Sequence, residues 1–398
     1  MLNKDKKIAI VTCCLDDWGG SEELWFECIP HLQQKGIRNI TVYKNQINNK
    51  QPQFVKLMNA SINLTELLPK HKLLKKSYLT LIDVVNKIGN KIGVLNYQWN
   101  KSVGNLYKYL KASKPDLVLI SQGINFDGLA YARQCLILNI PYLIVSHKAV
   151  EFFWPGEHQR AEMRETLLKA RKSLYVSKHN LKLTEEQFGI RLKNSAVIVN
   201  PVREKPFNLP FPDTKNGFKL ACIGRLFVID KGQDILLRVL SNEKWRNRTI
   251  SISFIGKGPN REALIEMAHL LELKNVSFDG FDNDLKSIWT NHHALILPSR
   301  SEGLPLTIIE AMSLSRICIV TNAGGNAEII ENGITGFVGE ANENGIDDAL
   351  ENAWQKRNDW EIMGLKACDS IKKILPDNPE KIFSELIIEA LNKTDLNN

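Results

Sequence analysis

The sequence predicts an α/β protein of two doubly wound domains. Three observations carry that expectation. Short β-rich runs alternate with helical patterns in both halves of the chain. Most of those runs are apolar throughout, as in parallel strands covered on both faces. A stretch rich in proline, Asn200–Gly217, interrupts the alternation near the middle of 398 residues, a length that suits two domains.

The elements follow in order. In the first half Lys7–Thr12, Asn39–Tyr43, Asp116–Ser121, Tyr142–Ser146, Ser173–Ser177 and Ala196–Asn200 read as strands. Ser21–Lys35, Asp127–Leu138, Glu157–Arg171 and Lys178–Phe188 read as helices, with Pro30 expected to bend or end the first of them. In the second half the strands are Phe218–Ile223, Ile250–Ile255, Val276–Phe278, Ala294–Leu297 and Ile317–Thr321. The helices Ile346–Arg357, Trp360–Ile374 and Pro379–Leu391 close the chain. The expected division is a first domain over 1–200, a linker over 201–217, a second domain over 218–378 and a final helical segment over 379–398. Two such domains would face each other across a cleft, each presenting the carboxyl ends of its strands, where open α/β sheets bind ligands.

Composition narrows the class. Hydrophobic residues make up 43% and charged residues 24%, values of a soluble globular protein. No apolar run is long enough to span a membrane. The N-terminal apolar run is too short for a signal peptide and reads as the first strand. Seven cysteines without C-x-x-C spacing read as reduced, buried thiols, so the expected location is cytoplasmic. No metal site is expected, since the pairs His292-His293 and Glu157-His158 lack ligand spacing.

Charge is unevenly spread. Residues 1–200 hold 29 Lys and Arg against 16 Asp and Glu, while the rest hold 23 against 28. The first half therefore suits a negatively charged partner. The segment 66–114 is its most basic part, with lysines such as Lys70, Lys75, Lys87 and Lys111 interleaved with Leu, Ile, Tyr and Trp. It suits docking on an anionic membrane, at the inner face of the plasma membrane, and equally a solvated helical insertion. Nucleic acid is not an expected partner, because no motif for it is present.

Four motifs carry chemistry. Gly19-Gly20 follows the first strand and opens a helix, so a ligand can approach the backbone there. Glu22 in the first turn reads as a helix-dipole partner. Arg225 leaves the first strand of the second domain, and Lys231, six residues on, reads as a helix start. Two cations there suit a diphosphate, Arg as a fork and Lys as a point charge. Gly256-Lys-Gly258-Pro259 lacks the third glycine of a dinucleotide fingerprint and suits backbone lying against a base. Finally Glu302 and Glu310 bracket Gly303, Pro305, Leu306 and Thr307 at a helix start. A helix N-terminus binds phosphate and carboxylates bind hydroxyls; together they suggest a nucleotide-sugar. His147 ends a strand and could serve a sugar hydroxyl or a structural hydrogen bond.

Taken in order, these pieces resemble glycosyltransferase family 4, retaining enzymes of the GT-B fold. The matching run is Gly19-Gly20-Ser21-Glu22, His147, Asn200-Pro201-Val202, Gly224-Arg225-Leu226 with Lys231-Gly232, Gly256-x-Gly258-Pro259, Val276-x-Phe278-x-Gly280 and Pro298-Ser-Arg-x-Glu302-Gly-x-Pro305 with Glu310-Ala-Met312. Ala323-Gly324-Gly325, Glu328 and Gly333-x-x-Gly336 complete it. The resemblance spans both domains and is strongest from Lys219 to Val338. It departs from the family at Leu314-Ser315-Arg316-Ile317, where a Gly and a Pro are common.

The resemblance implies a retaining hexosyltransferase, acting in cell-surface polysaccharide synthesis without metal or other cofactor. Its co-substrate would be a UDP- or GDP-sugar, and its acceptor a glycan or lipid-linked sugar. Arg225 and Lys231 would hold the donor diphosphate, with backbone N–H groups at Gly20, Leu306 and Thr307. Glu310 would take the ribose hydroxyls, Glu302 would lie near the donor sugar, and His147 would meet that sugar from the first domain. The first domain would be the acceptor side and the second would bind the nucleotide-sugar donor, with the final helix packing back toward the first domain. Two other readings share the fold: a nucleotide-sugar epimerase and a non-catalytic sugar- or partner-binding protein.

Overall fold

The computed structural model describes residues 6–68 and 97–393. They form two compact units. The first holds the described residues to Val176, then Leu181–Pro201 and the chain from Asn378 on; the second holds Ser177–Asn180 and Val202–Asp377. Of the basic segment 66–114, residues 69–96 lie outside the described residues. Helix Tyr97–Ser113 is described, and its Leu106 and Leu110 are fully buried.

The sheet of the first unit comprises β1 (Lys7–Thr12), β2 (Asn39–Lys44), β3 (Asn63–Glu66), β4 (Leu117–Gln122), β5 (Tyr142–Ser146), β6 (Lys172–Tyr175) and β7 (Ser195–Val197). Their order is β3-β2-β1-β4-β5-β6-β7, with every pairing parallel. The order reverses between β1 and β4, which makes the ends of those two strands the topological switch point. Central strands are apolar on both faces because helices cover both: Ile8, Ile10 and Leu119 pack toward one helical layer, Ala9, Val11 and Ile120 toward the other.

Helix Gly20–Gln34 runs through Pro30 to Gln34 without ending there. Pro30 lies on the exposed face, where water can serve the carbonyl that loses its helical donor. Helix Pro379–Asn392 lies against Gly20–Gln34 in this unit, its Phe383, Ile387 and Leu391 joining the core of Leu24, Cys28 and Leu32.

The second unit holds β8 (Phe218–Ile223), β9 (Ile250–Ile255), β10 (Val276–Gly280), β11 (Ala294–Leu297), β12 (Ile317–Thr321) and β13 (Gly336–Gly339). They are ordered β10-β9-β8-β11-β12-β13, again all parallel, with the reversal between β8 and β11. The fold is thus the expected α/β one, two Rossmann-like sheets of seven and six strands.

The segment read as a linker is bound into this second unit by Arg316. That guanidinium is fully buried and donates to the carbonyls of Leu209, Pro210, Trp289, His292, Leu314 and Ser315 at 2.5–3.1 Å. Burial pushes it down to about 10. Ser315 beside it has φ of 59°, a conformation glycine takes more easily, at the place where glycine is common in the family it resembles.

Candidate functional site

Sequence forces the site of the second unit to the C-terminal ends of β8 and β11. After β8 the chain turns at Gly224, runs through Arg225 and forms the single turn Val228–Lys231. Lys231 therefore closes a short helical turn. Gly232 then adopts φ of 60° as helix Gln233–Leu240 begins; a Cβ there would stand 2.0 Å from the Pro298 carbonyl oxygen. The loop after β8 can meet the loop after β11 this closely only because residue 232 has no side chain. Gly256 does the same for the loop after β9, where a Cβ would fall 2.0 Å from the Gly224 oxygen. The structural reason for Gly256 is thus contact between two loops.

This contact brings three expected residues together. Lys231 Nζ donates to Glu302 Oε1 at 2.6 Å, and Ser299 Oγ donates to the same oxygen at 2.7 Å. Glu302 is 5% exposed, so its charge is held by those two donors. Arg225 donates to Asp230 Oδ2 at 3.3 Å and lies over the Phe227 ring. The Asp230 carbonyl in turn accepts from the backbone of Arg300 and Ser301, tying Arg225's neighbourhood to the Glu302 loop.

Helix Leu306–Ser313 begins directly after Pro305, so Leu306 and Thr307 are its first two residues. Their N–H groups precede the first possible intrahelical acceptor and are available to an anion. Glu310, one turn on, is fully buried, and Arg203 Nε and Nη2 donate to its two oxygens at 2.8 and 3.0 Å. Sequence reasoning missed Arg203. The only signal was its place directly after Asn200-Pro201-Val202; its partner stands 107 residues away.

In the first unit, Gly19 is the N-cap of helix Gly20–Gln34, and its N–H donates to Glu22 Oε2 at 2.8 Å. Glu22 does more than serve the helix dipole. Fully buried, it also accepts from Thr12 Oγ1 at 2.8 Å and Lys44 Nζ at 3.1 Å, while Lys44 donates to the Cys14 carbonyl at 2.6 Å. A buried ion pair thus fixes the turn between β1 and Gly20.

His147 stands at the end of β5, with Nε2 3.3 Å from Ser121 Oγ, which also donates to the Ser21 carbonyl at 3.3 Å. Ser121 therefore links His147 to the glycine turn. Burial pushes His147 down to about 4, so at neutral pH the ring is uncharged and offers hydrogen bonds only. Its buried Nδ1 has no protein partner among the described residues. The expected residues thus fall into two groups: Gly19, Gly20 and His147 in the first unit, and Arg225, Lys231, Gly256, Glu302, Leu306, Thr307 and Glu310 in the second. Among the described residues no group of three or more His, Cys, Asp or Glu could hold a metal ion, and no helix is long and apolar enough to cross a membrane.

Residues 203–366 match the family described as glycosyl transferases group 1. Protein CapJ of Staphylococcus aureus is 27% identical over 220 residues, 51% of this chain and 54% of that protein, so the match spans about half of its length. The UDP-Gal:alpha-D-GlcNAc-diphosphoundecaprenol alpha-1,3-galactosyltransferase of Escherichia coli is 33% identical over 96 residues, 24% of each chain. The crystal structure of Anabaena HepE in complex with UDP superposes with a TM-score of 0.67 over 97% of this chain and 99% of that one, at 15% identity. The chain has the GT-B fold, and residues 203–366, within its second unit, are similar to the glycosyl transferases group 1 family.

Proposed function

We propose that the chain is a retaining glycosyltransferase that moves a hexose-like sugar from a UDP- or GDP-linked donor to a glycan or lipid-linked acceptor, in cell-surface polysaccharide synthesis. The observation that carries this reading is the cluster of Arg225, Lys231 and Glu302 beside the start of helix Leu306–Ser313. Two cations and first-turn N–H groups suit a diphosphate, while the buried carboxylates suit hydroxyls. The galactosyltransferase relative is named for a UDP-linked donor and a lipid-linked acceptor, and the Anabaena structure contains UDP. Both agree with a nucleotide-sugar here.

The reaction follows from these groups. The bond between the anomeric carbon and the phosphate oxygen breaks, and its electron pair leaves with the phosphate. Positive charge grows on the sugar carbon and negative charge on the diphosphate. Lys231, Arg225 and the N–H groups of Leu306 and Thr307 are aimed at the second charge, so the leaving group is stabilised as it forms, without a metal ion. Glu302 and neutral His147 serve sugar hydroxyls, and Glu310 serves the ribose once it exchanges Arg203 for it. The acceptor hydroxyl attacks on the face the phosphate leaves, and its proton passes to the departing phosphate oxygen. This front-face course keeps the anomeric configuration without a carboxylate nucleophile.

The test is release of free nucleotide from a panel of UDP-, GDP- and ADP-sugars, with and without EDTA and with glycan acceptors. Release from one UDP- or GDP-sugar, unchanged by EDTA, is expected. A rearranged donor without acceptor would instead indicate an epimerase, and tight nucleotide binding with intact donor a binding protein. The charge pattern of segment 66–114 further suggests docking on anionic lipid. Flotation with phosphatidylserine vesicles is then expected to fall as salt rises, and equal recovery with neutral vesicles would remove that partner.

A further inference from the structure

One hollow in the first unit is lined by none of the residues assigned above. It is a pocket of about 630 Å³ between the loop after β4, the loop after β5 and helix Glu157–Lys169. Phe126, Phe153 and Trp154 supply aromatic wall, Met163 adds apolar surface, and Gln159 and Glu162 bring polar groups. The volume is that of a small-ligand site.

The aromatic wall is built and held. Gln187 is fully buried, and its Nε2 donates to the carbonyls of Val150 and Phe153 at 2.9 and 2.6 Å. Trp154 Nε1 donates to the Glu151 carbonyl at 2.9 Å, which fixes the indole although the residue is 61% exposed. Three successive aromatics, Phe152, Phe153 and Trp154, are thus exposed on a loop whose backbone the buried Gln187 amide ties down. Exposed aromatics held in place lose little entropy when a ligand stacks on them.

The polar groups identify the ligand class. No described lysine or arginine lines the pocket, and Glu162 is already paired with Arg133 at 3.5 Å, so a phosphate would find no unengaged counter-charge on its wall. Asn125 and Asp127 in its wall each keep one buried side-chain oxygen without a hydrogen bond. Those two oxygens are closed to solvent, and the polar side chains open to a ligand are Gln159 and Glu162, which hydroxyl groups can serve and an aliphatic chain cannot. A pyranose combines an apolar face of C–H groups with a rim of hydroxyls.

We propose that this pocket binds a neutral pyranose of the acceptor, stacked on Trp154 and hydrogen-bonded by Gln159 and Glu162. Its part in transfer rests on the reaction proposed above; sugar binding by itself does not. Saturation-transfer NMR on the full chain, with the methyl glycosides of glucose, galactose, mannose and N-acetylglucosamine, is the test. At least one glycoside is expected to bind, and Trp154→Ala to weaken it about tenfold. Trp154 lies at the surface, so this variant keeps its fold; Gln159→Ala removes a polar partner and is expected to weaken the same glycoside. Absence of binding by every glycoside, or unchanged binding in both variants, overturns the proposal. Competition by octanol in place of sugar would mark an aliphatic site and overturn it too. UDP and GDP titrated into the same samples separate the two readings. Glycoside binding without any nucleotide binding sinks the transferase and leaves the pocket; nucleotide binding without glycoside binding sinks only the pocket.

Discussion

Lys231→Ala is expected to lower kcat/KM for sugar transfer by on the order of a hundredfold or more, as loss of a preorganised donor to a leaving group does. The lysine is fixed by a 2.6 Å bond to Glu302, so its charge is in place before any donor arrives. The same bond complicates the variant, because removing Lys231 leaves a buried carboxylate with Ser299 as its remaining side-chain donor. Arg225→Ala separates the effects. Arg225 is about half-exposed and its 3.3 Å contact to the partly buried Asp230 is the weaker of the two ion pairs, so that variant should lose less melting temperature while transfer falls comparably. Nucleotide-release rates beside melting curves provide the check. Wild-type rates in both variants would reject the diphosphate assignment.

Arg316→Met is expected to destabilise the second unit by about 3–5 kcal/mol, the range for disrupting a buried charged network. The side chain would still fill space, but the six carbonyls it serves would lose their donor in the interior. Arg316→Lys should recover little, since three donors on one nitrogen cannot reach carbonyls arranged around a planar fork. For a unit of this size the cost corresponds to a fall of roughly 6–20 °C in its melting transition. Calorimetry of the full chain measures it, and a transition within 2 °C of wild type would show that the carbonyls find other partners.

The central strands were legible because burial on both faces writes continuous apolar runs into the sequence, as in Ile8–Val11 and Ala294–Leu297. Two strands were not. Asn63–Glu66 and Gly336–Gly339 sit at the edges of their sheets, where Asn-Leu-Thr-Glu and Gly-Phe-Val-Gly carry little periodic signal. Helix Pro52–Asn59 was likewise hidden, its buried face being only Phe54 and Leu57. At the site, the motif positions stood out because glycine, proline and charge punctuate strand ends. Their counterparts did not. Arg203, Lys44 and Arg316 act on groups tens of residues away or on carbonyls, which every residue has, so no local pattern marks them. Lys44 ends an otherwise apolar strand and was readable only as a surface residue, whereas it is the buried counter-charge of Glu22.

The pairing of charges in the second unit has a consequence for selectivity. Lys231 with Glu302, Arg203 with Glu310 and Arg225 with Asp230 leave each cation a counter-ion within 3.3 Å. An anion that takes one of these cations must therefore displace a carboxylate, while the N–H groups of Leu306 and Thr307 stay open to it. Free phosphate or sulfate offers only that trade, at little net gain. A molecule carrying a diphosphate, a ribose and a hexose offers each displaced carboxylate a hydroxyl in return. The pairing thereby favours, over a small anion, a ligand that satisfies both signs of charge at once.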